Sequence, residues 1–159
     1  LITVATIRWE VRRKLKMLVA EDNPQDRELI QLAVKRGGVA ADVYEVEDGE
    51  QLLEYLRGEN GFQDRARHPL PDLLLIDLKM PRVDGLAVLK WLQQHPECNR
   101  LPKVMLSGSG LEKDVEEAYK RGVNTYFAKP SSFREFQELL KVLVDYWSRS
   151  QAVKVGNCR

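Results

Sequence analysis

Short, dense apolar runs alternate along the chain with longer stretches in which apolar residues recur every three or four positions. Dense runs suit strands covered on both faces, and the wider spacing gives a helix one apolar stripe. Five runs read as strands: Met17-Leu18-Val19-Ala20, Asp42-Val43-Tyr44-Glu45-Val46, Leu73-Leu74-Leu75-Ile76, Lys103-Val104-Met105-Leu106 and Thr125-Tyr126-Phe127-Ala128. The second mixes charge with its apolar residues and fits an edge. The third is apolar on both faces and fits the centre.

Five helical patterns fill the gaps. Asn23 then Pro24 reads as an N-cap and first helical residue, Leu29, Ile30, Ala33 and Val34 face inward, and Gly37-Gly38 ends the helix. Asp48-Gly49 opens a second helix through Leu52, Leu53 and Leu56 to about Arg57. A third runs from Gly85 to Gln94 on Leu86, Leu89 and Leu92. A fourth carries Leu111, Val115, Ala118 and Tyr119 and ends near Gly122. The last is the clearest, with Phe133, Phe136, Leu140, Leu143 and Trp147 in one stripe. Beside it lies a second stripe of Leu139, Val142 and Tyr146, which leaves two readings open: a wide core face, or a surface for a partner, a second copy of the chain included. The polar stretch from Gly58 to Pro71 is long for a connection and is expected to be functional or mobile.

Strand and helix in alternation predict a parallel sheet with helices on both faces, an α/β doubly wound fold. The length, 159 residues, suits one domain. The expected division is a poorly ordered leader at 1–15, the domain at 16–148 and a polar tail at 149–159, with no output domain after Trp147. Lys and Arg number 25 against 24 for Asp and Glu, so no global field points to nucleic acid or an anionic membrane. The basic cluster Arg8, Arg12, Arg13, Lys14 and Lys16 reads as a solvated leader. The apolar opening Leu1–Ile7 is too short to span a bilayer. Cys98 and Cys158 are far apart and match no zinc or redox spacing, so reduced thiols in a cytoplasmic protein are expected.

In such a sheet, functional groups collect at the carboxyl ends of the strands. Read there, the first strand delivers Glu21-Asp22, the third Asp77, the fourth Ser107 and the fifth Lys129. Each alone has an ordinary reading: a helix cap, turn chemistry, a surface lysine. Together they form a chemical set. Clustered carboxylates repel one another unless a cation sits among them, and Mg²⁺ takes oxygen ligands from one or two carboxylates plus a phosphate. A carboxylate can accept a phosphoryl group as an aspartyl phosphate, whose oxygens call for a metal, a cation and a hydrogen-bond donor. Asp22 with Asp77 can hold the metal, Lys129 can supply the cation and Ser107 the donor.

The ordered stretches Leu18–Pro24, Ile76–Pro81 with Asp84-Gly85, Met105–Ser107 and Tyr126–Pro130 resemble the bacterial response-regulator receiver family, from about Lys16 to Trp147. The resemblance implies the flavodoxin- and CheY-like sheet order 2-1-3-4-5. It also implies phosphorylation of Asp77, and Mg²⁺ on Asp22, Asp77 and the backbone carbonyl of Lys79, with Glu21 reaching it through water. It further implies a cis Lys129–Pro130 bond, room for the phosphoryl group at Gly108, and a switch in which Ser107 and Tyr126 move to remodel the face of the fourth helix, fifth strand and last helix. The Gly122–Tyr126 and Phe133–Phe136 segments, Tyr146-Trp147 and the Gly58–Pro71 loop look like the phytochrome-associated regulators.

The function implied is two-component signalling, with a sensor histidine kinase or phosphotransfer protein as donor and a protein target downstream. The chain is then a phosphoacceptor rather than an enzyme. A pseudo-receiver scaffold is the alternative, but it should lack Asp22, Asp77 or Lys129. A phosphoaspartyl hydrolase would need a second aspartate where Lys79 stands, and a DNA-binding regulator an output domain.

Overall fold

The computed structural model describes residues 13–150, 155, 156 and 158; the predicted leader up to position 12, with Arg8 and Arg12, lies outside them. The described elements are β1 (Leu15–Ala20), α1 (Pro24–Arg36), β2 (Ala41–Val46), α2 (Gly49–Arg57), β3 (Leu73–Ile76), α3 (Gly85–Gln93), β4 (Lys103–Ser107), α4 (Glu112–Lys120), β5 (Thr125–Ala128) and α5 (Phe133–Arg149), with one helical turn at Pro96–Asn99 before β4. All strand pairs are parallel, in the order β2-β1-β3-β4-β5.

Strand periodicity divides the core into two layers. Met17, Val19, Leu73, Leu75, Val104 and Leu106 point to one face and pack with Ile30, Ala33 and Val34 of α1 and with Phe136, Leu140 and Leu143 of α5. Leu18, Ala20, Leu74, Ile76 and Met105 point to the other and meet Leu52 and Leu56 of α2, Leu89 and Leu92 of α3, and Ala118 of α4. Alternate residues of one strand thus serve opposite helix layers.

The helix ends follow the expected chemistry. Asn23 accepts from the Gln25 and Asp26 amides at the start of α1, Asp48 from Gln51 in α2, Asp84 from Ala87 in α3 and Ser132 from Glu135 in α5. Gly58 closes α2 at φ 73°, a left-handed turn open to glycine at little cost.

Three expectations change, and one about the long loop narrows. The Gly58–Pro71 loop is packed: Arg65 donates to the carbonyls of Tyr55 (2.8 Å) and Leu56 (2.9 Å) at the end of α2. The Tyr55, Phe62 and His68 rings gather beside it, and the Tyr55 hydroxyl donates to Pro69 O (3.0 Å). On α4 only Ala118 is buried, whereas Leu111 and Tyr119 are exposed, because the nine-residue helix turns one narrow stripe to the sheet. The cysteines are not free thiols: Cys98, in the turn before β4, and Cys158 form a disulfide with 5.6 Å between Cα atoms. Their separation of 60 residues hid the pairing, because local spacing does not show which distant residues meet. Lastly, Lys129–Pro130 is trans, the isomer an X–Pro bond favours by roughly 0.5–1 kcal/mol.

The first stripe of α5 faces the core, but Val142 (64% exposed) and Tyr146 (65%) of the second do not. A core role therefore accounts for Leu139, which packs against the core, but not for Val142 and Tyr146.

Candidate functional site

The sheet register assembles the site. Ala20 is level with Ile76, Ile76 with Met105, and Ser107 with Ala128. The residues that follow or end these strands, Glu21, Asp77, Ser107 and Lys129, therefore share one rim. β1 lies between β2 and β3, so the strand order reverses beside this rim, where an open α/β sheet leaves a crevice.

Glu21, Asp22 and Asp77 each bring a carboxylate oxygen within 4.8 Å of the other two. Glu21 is 3% exposed and Asp77 8%, while Asp22 faces solvent. Lys129 Nζ reaches across from β5 to Glu21 Oε2 (2.6 Å), Asp26 Oδ2 (2.7 Å) and Asp77 Oδ2 (3.4 Å). Burial pushes the Glu21 carboxyl up to about 7; the Lys129 hydrogen bond works against that rise and the Asp77 charge adds to it. Burial pulls the Lys129 ammonium down, but hydrogen bonds to Asp26 and Glu21 and the charge of Asp77 outweigh it, so the net shift is upward and Lys129 stays charged. One ammonium faces an excess of carboxylates.

That donor set suits a hard divalent cation: all-oxygen ligands, close together, carrying negative charge that the protein leaves uncompensated. Asp22 and Lys79 also border one open cleft with Pro81, Asp84 and Asp114. The Lys79 side chain is exposed and takes no part in the carboxylate cluster.

Ser107 is buried, and its carbonyl accepts the Lys129 amide at 2.8 Å, which locks the two strand ends together. Its hydroxyl accepts from Ser109 N (3.2 Å). A Cβ added at Gly108 would meet nothing within 4 Å, so there is open space beside Ser107. Tyr126 is half-buried, with its hydroxyl donating to Ser109 O at 2.7 Å on the β4–α4 loop.

Three further residues support the site, and of these Asp26 and Arg27 were not singled out from sequence. Asp26, in the first turn of α1, is one. Its signal was available: helix side chains tilt toward the N-terminus, so an acid there leans back over the rim. Arg27 is the second, donating to the carbonyls of Glu21 (2.7 Å) and Asp22 (3.1 Å) and pinning the acidic loop. Gly85 is the third. A Cβ there would stand 2.5 Å from Asp77 O and 3.0 Å from Leu78 Cα, so only glycine lets α3 start this close to the Asp77 backbone.

Comparison with known proteins agrees with this geometry. The chain matches the response regulator receiver domain family over residues 17–141. It superposes with TM-score 0.82 on a response regulator in red light signaling of R. palustris, RPA3017, at 35% identity over 88% of this chain and 99% of that one. The phosphorylated cyanobacterial phytochrome response regulator RcpA gives TM-score 0.79 at 33% identity, covering 88% and 99%. Response regulator Rcp1 of Synechocystis sp. is 28% identical over 82% of this chain and 87% of its own length; its Mn²⁺-bound structure gives TM-score 0.75 at 27% identity, covering 89% and 99%. With the family matched over most of its length and the acidic rim in place, the chain belongs to the response-regulator receiver family of two-component signalling, and its structural neighbours include phytochrome-associated regulators.

Proposed function

We propose that this receiver accepts a phosphoryl group on Asp77 from a histidine kinase or phosphotransfer protein and signals through the face of α4, β5 and α5. A carboxylate oxygen of Asp77 attacks phosphorus, the phosphorus–nitrogen bond of the donor phosphohistidine breaks, and the imidazole leaves with the electron pair and takes up a proton. Glu21 (through water), Asp22, Asp77 and the Lys79 carbonyl would hold Mg²⁺, which when bound neutralises charge on the phosphoryl oxygens. Lys129 meets a second phosphoryl oxygen and Ser107 donates to a third.

The observation that carries this reading is the buried Asp77 carboxylate, clustered with Glu21 and Asp22 and 3.4 Å from the Lys129 ammonium. A carboxylate facing solvent alone would be a poor acceptor, because nothing would offset the charge brought in by the phosphoryl group. Once phosphorylated, Asp77 draws Ser107 inward. The β4–α4 loop follows, and Tyr126, tied to Ser109 O in that loop, turns with it. The phosphoryl group acts as a covalent effector that favours one of two loop conformers. The donor is made with ATP, which puts the reaction in the cytoplasm; that reducing compartment would tend to open the Cys98–Cys158 bond.

Acetyl phosphate with Mg²⁺ should add the mass of one phosphoryl group to the wild type and none to Asp77→Asn. Equal labelling of the two would remove Asp77 from this role.

A further inference from the structure

Lys129 carries three N–H donors and faces three carboxylates, so the ammonium is saturated. The contacts are unequal. Glu21 and Asp26 hold Nζ at 2.6 and 2.7 Å, whereas Asp77 stands at 3.4 Å. Asp26 differs from the other two because it lies outside the cluster of Glu21, Asp22 and Asp77. A cation among those three would compete for Glu21 but leave Asp26 as a full anionic partner of Lys129.

The surroundings strengthen the pair. Asp26 and Lys129 border a groove between α1 and the start of α5, walled by Leu29, Ile30, Pro130 and Phe133. Apolar walls on one side lower the effective dielectric and raise the value of the contact above that of an exposed surface pair. Asp26 is half-buried, and its own amide is bound by the Asn23 cap, so its backbone is fixed at the head of α1.

We propose, resting on the phosphoacceptor reading above, that Asp26 is a positioning residue that holds Lys129 back from Asp77 in the unphosphorylated chain and yields it when a phosphoryl group arrives. The ammonium exchanges one anion for another, so the switch needs only that the phosphoryl oxygens hold it better than Asp26 does. Asp26 thereby sets the phosphoryl affinity of the site without touching the reacting atoms.

Beryllofluoride with Mg²⁺, a phosphoryl analogue, tests this in the full chain. Its apparent affinity should rise roughly tenfold in Asp26→Asn, the scale of one lost charge-assisted hydrogen bond. Asp26→Ser should give the same gain, and Asp26→Glu should return the affinity toward the wild type. With acetyl phosphate as donor, Asp26→Asn should raise kcat/KM by a similar factor, because a freed ammonium is available to the phosphoryl group as it transfers. In a Lys129→Met background Asp26→Asn should have no effect, as expected if the coupling runs through Lys129. Unchanged or weaker binding in both Asp26→Asn and Asp26→Ser would overturn the proposal, as would a full gain that persists without Lys129. If the wild type is labelled at Asp77 and the Asp26 variants match it, only the Asp26 role falls. If the wild type takes no label at Asp77, the phosphoacceptor reading falls and the Asp26 role with it.

Discussion

The two ends of the sheet each bury part of a lysine, and they treat its charge in opposite ways. At the carboxyl end Lys129 lies among the carboxylates of Glu21, Asp26 and Asp77, and its affinity for a proton rises. At the amino end Lys103 is 3% exposed, and its ammonium donates to the carbonyls of Asn99 (2.6 Å) and Leu101 (3.0 Å); burial pulls its pKa down to about 8. Carbonyl dipoles satisfy donors without supplying a countercharge, so Lys103 closes the turn at Pro96–Asn99 and, among the described residues, has no ion-pair partner to exchange. Around it the amino end is tied shut, with Cys98–Cys158 nearby and Arg13 paired to Asp72 at 2.7 Å. The carboxyl end instead keeps an excess of negative charge and open space beside Ser107. A buried charge marks function when its partners are mobile charges in surplus, and marks structure when they are fixed backbone groups.

The largest contrast should appear on substitution of the two lysines. Lys129→Met should slow phosphorylation of Asp77 by about a hundredfold, the cost of one preorganised electrostatic group. Lys103→Met should leave that rate unchanged. A rate loss in Lys103→Met, with the fold intact by circular dichroism, would mean that the ends are not separable.

On stability the largest effect should come from the disulfide. Opening Cys98–Cys158 by reduction, or by Cys158→Ser, frees a 60-residue loop and should cost about 4 kcal/mol of unfolding free energy on the chain-entropy account. Urea unfolding of oxidised and reduced protein gives the number, and phosphorylation should not change with it. Coincident urea midpoints would remove the bond from the stability of the amino end.

The two ends should also answer to different pH windows. Glu21 has a folded pKa of about 7 against an ordinary 4.5. Between these values the folded state binds more protons than the unfolded chain, so stability falls as pH rises from 4.5 to 7, by about 3 kcal/mol at most. Glu21→Gln should flatten this slope, and millimolar Mg²⁺ should offset the loss by binding the native state. Lys103 runs the other way: its pKa is about 8 folded and 10.5 ordinarily. There the unfolded chain binds more protons, so stability should rise from pH 8 toward 10.5, and Lys103→Met should abolish that rise. Thermal melts across both windows, with and without Mg²⁺, separate the contributions; a flat profile near neutrality would contradict the raised proton affinity of buried Glu21.

Most of the carboxyl end is legible in the chain before folding. Asp77 follows the apolar run Leu73–Ile76 directly, and Lys129 follows Thr125–Ala128 in the same way, so locating the strands locates the rim. Periodicity carries the helices because each turns a stripe of apolar residues to one layer. The amino end is less legible because its contacts are long-range and its residues ambiguous. Lys103 opens a strand like any surface lysine until Asn99 and Leu101 enclose it. Cys98 and Cys158 pair across 60 residues, a contact that no local pattern encodes. The Gly58–Pro71 segment has no periodicity, and its order comes from single side chains, Arg65 and Tyr55, meeting backbone carbonyls. The exposure of Leu111 and Tyr119 follows from the placement of α4, which local spacing does not encode.

The most direct test of the account is the position of the phosphoryl group itself. Borohydride reduction of chain phosphorylated with Mg²⁺ and acetyl phosphate converts an aspartyl phosphate to homoserine, and peptide mass spectrometry reads the residue changed. The account predicts homoserine at position 77, with Glu21, Asp22 and Asp26 intact. Reduction at any of those three with Asp77 untouched, or at no residue of the rim, would contradict it.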